Sequence, residues 1–318
     1  MKNELIKVDE ANNEYQKALD LLTTSCLKCR FTPDYLGAIT LLQKSAETFH
    51  GNAKYEEEIL CRQRLTFCFR SIKSFWEEGN EYEKIAKVYV NLLKDDKNSL
   101  VSISNAQIAF KLGKNYDSGL KAIKNMSLIY IEKKNYNYAE KILNIGFDCI
   151  KETYHLLILK KKTDDIDFIY EIVNLFVECL CFLNDFQKAI NDLKDFILLI
   201  KNNTQDEKKH LMHLYGSLLI ILLCNNEIDQ YLNYLNIAKN ESDSKEDLIY
   251  NIEKIYQSID EKDEQKARKN LKDITLEFST NVSKLIVNAV NSNFKHKNNE
   301  NIIDTSNNNN ENDENDLK

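Results

Sequence analysis

One proline, Pro33, and seven glycines in 318 residues set the tightest limit on what this chain folds into. Proline lacks an N–H and clashes with the preceding helical turn, and glycine leaves the backbone too free to hold a helix well. Their scarcity leaves long uninterrupted segments, filled mainly by Lys, Glu, Leu, Ile and Asn. The apolar members recur as stripes rather than in alternation, which is the pattern of amphipathic helices. A β-rich or doubly wound fold needs many more glycine turns. The chain is therefore read as all-α.

Within that frame one local pattern returns: a small or amide-rich turn, an aromatic, then Ala or Gly a few positions on. It stands at Thr32-Pro33-Asp34-Tyr35 with Ala38, at Gly51-Asn52-Ala53-Lys54-Tyr55, and at Gly79-Asn80-Glu81-Tyr82 with Ala86. It stands again at Lys114-Asn115-Tyr116 with Gly119, at Lys134-Asn135-Tyr136 with Ala139, and at Asn184-Asp185-Phe186 with Ala189. Each is a helix start. The turn residue caps free N–H groups, the aromatic anchors the new helix, and the small residue lets a paired helix come close. The starts lie about 20 to 50 residues apart without a strict period, so they mark single helices or hairpins. The fold expected is a right-handed tetratricopeptide-like solenoid of antiparallel helical hairpins over residues 1–200, followed by a C-terminal helical bundle over 201–294. Loops are expected at 202–209 and 240–247, and a charged run at 260–264 leads into a last amphipathic stretch, 271–294. The Asn- and acid-rich residues 295–318 have too little apolar surface to offset ordering entropy and are expected to be disordered.

Composition excludes several functions. A formal charge of −7 argues against nucleic-acid binding, which needs cations to displace counterions. No run reaches the ~18 apolar residues of a spanning helix; the densest, residues 218–224, is far shorter. The opening MKNELIKVDE is charged where a secretory signal is apolar, so the eight cysteines are read as reduced thiols of a cytoplasmic protein. No phosphate-cradling glycine loop is present, and no cofactor is implied. Cys26 and Cys29 form a C-x-x-C without a second half at finger spacing. Cys179 with Cys181 and His210 with His213 are the remaining metal candidates, and incidental thiols and ordinary histidines are the better reading. No acid–base pair stands out from the many carboxylates. The chain reads as a binding protein rather than an enzyme.

Residues 26–49, CLKCRFTPDYLGAITLLQKSAETF, resemble the opening segment of the SNAP family, the soluble NSF-attachment proteins, in its gamma branch. The resemblance continues through residues 52–92, including CRQRLTF and SFWEEGNEYEKIAKVYVNL, weakens between 153 and 225, and recovers at 242–246 and 254–261. The last residues, 313–318, look like the acidic tail with a penultimate leucine that closes the alpha branch. The resemblance implies an adaptor that coats a four-helix, syntaxin-type SNARE complex. It would then recruit the AAA+ ATPase NSF, the N-ethylmaleimide-sensitive factor, which takes the bundle apart.

Three places carry that implication. In the family a loop like 27–31 touches membrane, here with apolar Leu27 and Phe31 beside the cations Lys28 and Arg30; the same apolar pair also suits stapling of the first hairpin. SNARE bundles are acidic outside, so a basic face is expected, for which Lys121, Lys124 and Lys141 are the candidates, with Lys133, Lys134 and residues 160–162 nearby. Lys141 falls on a SNARE-contacting lysine of the family, whereas Ile145 stands where a second is expected and none is found near Ser102. Asp260 and Glu261 match an acidic cluster that meets the ATPase, with Gln257 in place of a third acid, and Leu317 matches the leucine that stimulates it. Two other readings stay open: a general helical-repeat scaffold with unrelated partners, and a zinc- or thiol-dependent enzyme built on Cys26 and Cys29.

Overall fold

A computed structural model describes residues 2–25, 30–159, 163–203, 208–241, 247–275 and 287. Among them the chain is helical throughout, with one isolated bridge, Ser25 to Arg30, and no strand. It divides into two compact units, Met1–Cys179 and Leu180–Lys318.

The first unit contains α1 (Lys2–Leu21), α2 (Tyr35–Gly51), α3 (Tyr55–Ser71), α4 (Phe75–Val88), a π turn (Tyr89–Leu93), α5 (Asp96–Leu112), α6 (Tyr116–Glu132) and α7 (Tyr136–Leu159), then most of α8 (Thr163–Phe182). Each helix packs on its neighbour in sequence from α1 to α7, and α4 meets α6 as α5 meets α7. Short turns make neighbours antiparallel, and the skip contacts stack one hairpin on the next. This is a helical-hairpin solenoid of tetratricopeptide-like plan. Six consecutive helices begin at Tyr35, Tyr55, Phe75, Asp96, Tyr116 and Tyr136, one every 20 or 21 residues. A hairpin thus takes about 40 residues, longer than the 34 of a tetratricopeptide unit.

The regularity is set by one turn, repeated. Ala53, Lys73, Lys114 and Lys134 each adopt a left-handed backbone, with φ of 56–60°. Each donates its N–H three residues back, as Lys114 does to Lys111 O at 3.0 Å, and the following N–H reaches five back, as Asn115 does to Phe110 O at 2.8 Å. That pair of bonds is a Schellman C-cap, and its last residue opens the next helix. Counting from each start, the fourth residue is buried and mostly small (Ala38, Ser99, Gly119, Ala139), and the fifteenth is Phe49, Phe69, Tyr89, Phe110, Tyr130 or Ile150. Between them sit Leu42, Ile103, Ile123 and Leu143, all buried. Burying each such side chain contributes about 1.5–3 kcal/mol.

The one 21-residue interval, from Phe75 to Asp96, coincides with the π turn. A π turn is a one-residue insertion in a helix, and here the Asp95 N–H reaches six residues back, to Tyr89 O at 3.0 Å. Lys133 Nζ, from the end of α6, donates to Val90 O at 2.8 Å and satisfies a carbonyl of that turn. Burial holds the Lys133 ammonium below its usual pKa, and nearby Lys94 adds to the effect.

Two features of the pattern differ from the sequence expectation. The start read at Tyr82 is at Phe75, and Gly79 lies inside α4. A Cβ on Gly79 would stand 2.7 Å from the Phe110 ring, so this glycine serves a close helix approach rather than a turn. The left-handed positions also carry lysine, alanine or asparagine, never glycine. A side chain there costs about 1 kcal/mol, so Lys134→Gly is expected to raise stability by about that much. Urea unfolding checks this; an unchanged midpoint would contradict the cap assignment.

In the second unit α9 (Phe186–Asn203), α10 (Lys208–Cys224), α11 (Ile228–Glu241), α12 (Asp247–Asp260) and α13 (Glu264–Thr275) form a helical bundle. The turns at Asn184, Asn226 and Lys262 repeat the same cap. α10 packs against α9, α11 and α12, which explains the dense run 218–224: the helix is covered on several sides. Gly216 admits α12, since a Cβ there would lie 2.9 Å from Leu248 Cδ2. Of the loops expected at 202–209 and 240–247, the outer residues belong to helices, and 204–207 and 242–246 lie outside those described, as do 276–286 and 288–318.

Candidate functional site

Arg30 is tied back to the end of α1. Its backbone pairs with Ser25 at 2.8 and 2.9 Å. Its guanidinium donates to the Asp20 carbonyl, to Thr23 O at 3.3 Å and to Asp20 Oδ2 at 3.3 Å. Carbonyls at the end of α1 thus gain a cationic donor. The Arg30 charge is thereby partnered by Asp20. Phe31 is 76% exposed, so it does not staple the first hairpin. Leu27 and Lys28, with Cys26 and Cys29, lie outside the described residues.

The central lysines are spread over two antiparallel helices, and Lys124 is already paired. Lys121 is exposed near the start of α6 and Lys141 near the start of α7. The two helices run antiparallel, and 17 residues of helix span about 25 Å, so these lysines sit towards opposite ends of the hairpin. Lys124 is partnered: its Nζ lies 2.6 Å from Glu171 Oε2 and 5.1 Å from the Phe168 ring centre. Lys141 Nζ stands 5.0 Å from the Tyr138 ring centre. Residues 160–162 are outside the described set.

Asp260 ends α12 and is exposed, and Glu261 follows it in the turn, paired with Lys266 at 2.6 Å. Asp263 caps α13 through the Lys266 N–H at 2.9 Å. Asp260 and exposed Gln257 belong to the last turn of α12, so the acidic end is presented from a capped turn. Leu317 lies outside the described residues.

Burial governs the thiols. Cys61 and Cys179 are pushed up to about 12 by desolvation, Cys224 likewise, and Cys68 to about 11. Such thiols stay protonated at neutral pH and make poor nucleophiles and metal ligands. Among the described residues no group of three or more His, Cys, Asp or Glu is placed to hold a metal ion. Among them, too, no helix is long and apolar enough to cross a membrane.

Sequence reasoning missed a buried charge ladder. Glu58 and Glu78 take the fourth position of α3 and α4, small elsewhere, and Arg62 takes an aliphatic position of α3. Arg62 donates to Glu58 at 2.7 Å and to Glu81 at 2.9 Å; His50 Nδ1 lies 2.8 Å from Glu58, Lys84 pairs with Glu81 at 2.6 Å, and Arg70 donates to Glu78 at 2.8 Å. Charged residues are normally read as solvated faces; the signal was their place in the 20-residue register.

No protein-family model matches the chain, and no curated protein matches its sequence. Solved structures similar to it include a tetratricopeptide repeat protein from Parabacteroides merdae, 14% identical, covering 89% of this chain and 99% of that one, with a TM-score of 0.31. The TPR2AB domain of yeast Sti1 in complex with pHSP90 is 14% identical over 82% of this chain and 98% of that one, with a TM-score of 0.29. BtubC from P. vanneervenii is 9% identical over 75% and 90%, with a TM-score of 0.33.

Proposed function

We propose that this helical-hairpin scaffold is a SNAP-type adaptor, which binds an assembled SNARE complex and recruits the NSF-type AAA+ ATPase for ATP-dependent disassembly. On this reading it acts in vesicle fusion and intracellular protein transport, as a cytoplasmic protein resting peripherally on membranes of the secretory pathway. The observation that carries the proposal is the resemblance of residues 26–92, which coincides with the first hairpins of the solenoid. It also agrees with Phe31 left in solvent beside Arg30, and with Asp260 and Glu261 at an exposed turn. Lys121 and Lys141 are then separate contacts along the bundle rather than one patch, and Lys124 engages it only by exchanging Glu171 for a partner carboxylate.

The second reading, a tetratricopeptide-like scaffold for other partners, is favoured by Lys124, one of the three basic candidates, being already paired with Glu171. A pull-down separates the two. The ATPase should bind the protein–SNARE complex and leave either component alone, and binding should weaken as salt rises because exposed acids set the contact. Failure of the ATPase to join a preformed protein–SNARE complex would leave the scaffold reading. Removal of Leu317 and Lys318 should reduce stimulation of ATP hydrolysis with SNARE binding intact; full stimulation would remove Leu317 from the site.

A further inference from the structure

Successive helices of the first unit alternate in direction, so α2 and α4 begin on the edge where α3 and α5 end. Two contacts show that these ends meet. The Tyr35 and Phe67 rings lie 6.2 Å apart, and a Cβ on Gly113 would stand 3.1 Å from Phe75 Cβ. Five exposed positions along this edge are apolar: Leu36 is 70% exposed, Leu112 55%, Phe67 52%, Trp76 48% and Ile72 38%.

Nothing in the fold requires this. Leu36 and Trp76 are the second residues of α2 and α4, where free N–H groups and the helix dipole favour carboxylates. The same position at the opposite edge holds Glu56, Lys97 and Asn137, as ordinary solvated helix starts do. Between the apolar residues stand exposed cations: Lys73 and Lys114 at the turn tips, and Arg64 on α3. On α6, which also begins on this edge, the second residue is the expected acid, Asp117; three other nearby carboxylates are engaged within the fold. Asp34 caps α2 through the Gly37 N–H at 2.9 Å, Asp20 pairs with Arg30, and Glu77 accepts from Ser74.

We propose that this edge is a membrane-contact surface that sets Leu36, Ile72, Trp76 and Leu112 into the headgroup–acyl boundary of an anionic bilayer, with Lys73 and Lys114 on lipid phosphates. The row of turns presents single apolar tips separated by cations. A bilayer boundary accepts such tips one by one, whereas an amphipathic partner helix needs a continuous groove. Tryptophan suits the site because its ring prefers the interface. The proposal rests on this edge and not on the identity of any SNARE or ATPase partner.

Trp76 is the one tryptophan of the chain, so its emission reports the edge directly. The full-length protein is mixed with phosphatidylcholine vesicles, with and without phosphatidylserine, and followed by co-sedimentation and fluorescence. Binding to the anionic vesicles with a blue shift of Trp76 is expected. The double variant Leu36→Ser, Leu112→Ser, which keeps the reporter, should bind about tenfold more weakly. Lys73→Glu with Lys114→Glu should lose binding to anionic vesicles several-fold. The control Leu60→Ser, towards the other end of α3, should bind as wild type. Absence of vesicle binding overturns the proposal. So does binding that Phe31→Ser abolishes while Trp76 emission and the edge variants stay unmoved, which would confine lipid contact to the loop. A Trp76 shift with an acidic amphipathic peptide but not with vesicles would assign the edge to a protein partner and overturn it as well.

Discussion

Replacing Arg62 by methionine is expected to lower the unfolding free energy by about 3–5 kcal/mol. The guanidinium is 13% exposed and serves two carboxylates that are themselves buried, Glu58 at 2.7 Å and Glu81 at 2.9 Å. Methionine fills similar space but leaves both acids short of their main donor in a low-dielectric interior. His50 and Lys84, each about half exposed, remain beside them and compensate only in part. The register of the solenoid supplies the control. The equivalent positions on α2, α5, α6 and α7 are Leu42, Ile103, Ile123 and Leu143, and the position of Glu58 is Ala38 on α2 and Ala139 on α7. Glu58→Ala with Arg62→Leu should therefore recover part of the loss, because exchanging a buried ion pair for packed apolar groups is close to neutral, while Glu81 is left with Lys84 alone. Urea unfolding of the single and double variants decides it: a double variant no better than Arg62→Met would mean the ladder contributes stability as ions. Lys44→Met, which removes the exposed partner of Glu14, should leave the midpoint where it is.

The second large effect lies at Gly79. Alanine there places a Cβ 2.7 Å from Cε1 of Phe110, a fully buried ring, so α4 and α5 must separate or the ring must turn. Overpacking of this kind costs about 1–3 kcal/mol, against the roughly 1 kcal/mol that alanine gains over glycine by helix propensity. Gly51→Ala carries only the second term, because nothing lies within 4 Å of its added Cβ. The two substitutions, identical in chemistry and both helical, should therefore shift the thermal midpoint in opposite directions. Two shifts of the same sign would contradict the α4–α5 packing.

These two sites also show why the sequence disclosed the fold class and concealed its regularity. Helix starts at Tyr55, Tyr116 and Tyr136 are legible because an aromatic follows an amide or a lysine–asparagine turn, and the start at Tyr35 because it follows Pro33-Asp34. The start at Phe75 follows Ile72-Lys73-Ser74, which lacks those cues, and Asp96 opens α5 with no aromatic at all. With both hidden, Gly79 attracted the turn reading, and a 20-residue period looked irregular. Lysine in the left-handed cap removes the remaining cue, since glycine is what such turns advertise. The extra residue between Phe75 and Asp96 is absorbed by a π turn, a backbone event with no side-chain signature.

The binding residues were legible as types and not as places. Arg30 was read as a cation for lipid, and its geometry ties it to Asp20. Lys121 and Lys141, 20 residues apart in sequence, share a register position on antiparallel helices and so stand at different heights along the hairpin. The apolar tips Leu36 and Trp76 escaped notice because helical stripes assign apolar residues to the core by default. Only the comparison of six equivalent helix starts shows which of them face solvent.

The most direct test of the adaptor account is a disassembly assay with a preformed SNARE complex, the NSF-type ATPase, ATP and this protein. The account predicts that the bundle comes apart only when all four are present, and that removing ATP leaves the protein and ATPase bound to an intact bundle. A bundle that stays assembled with the ATPase unbound would contradict it, and the chain would then be a helical-hairpin scaffold for another partner.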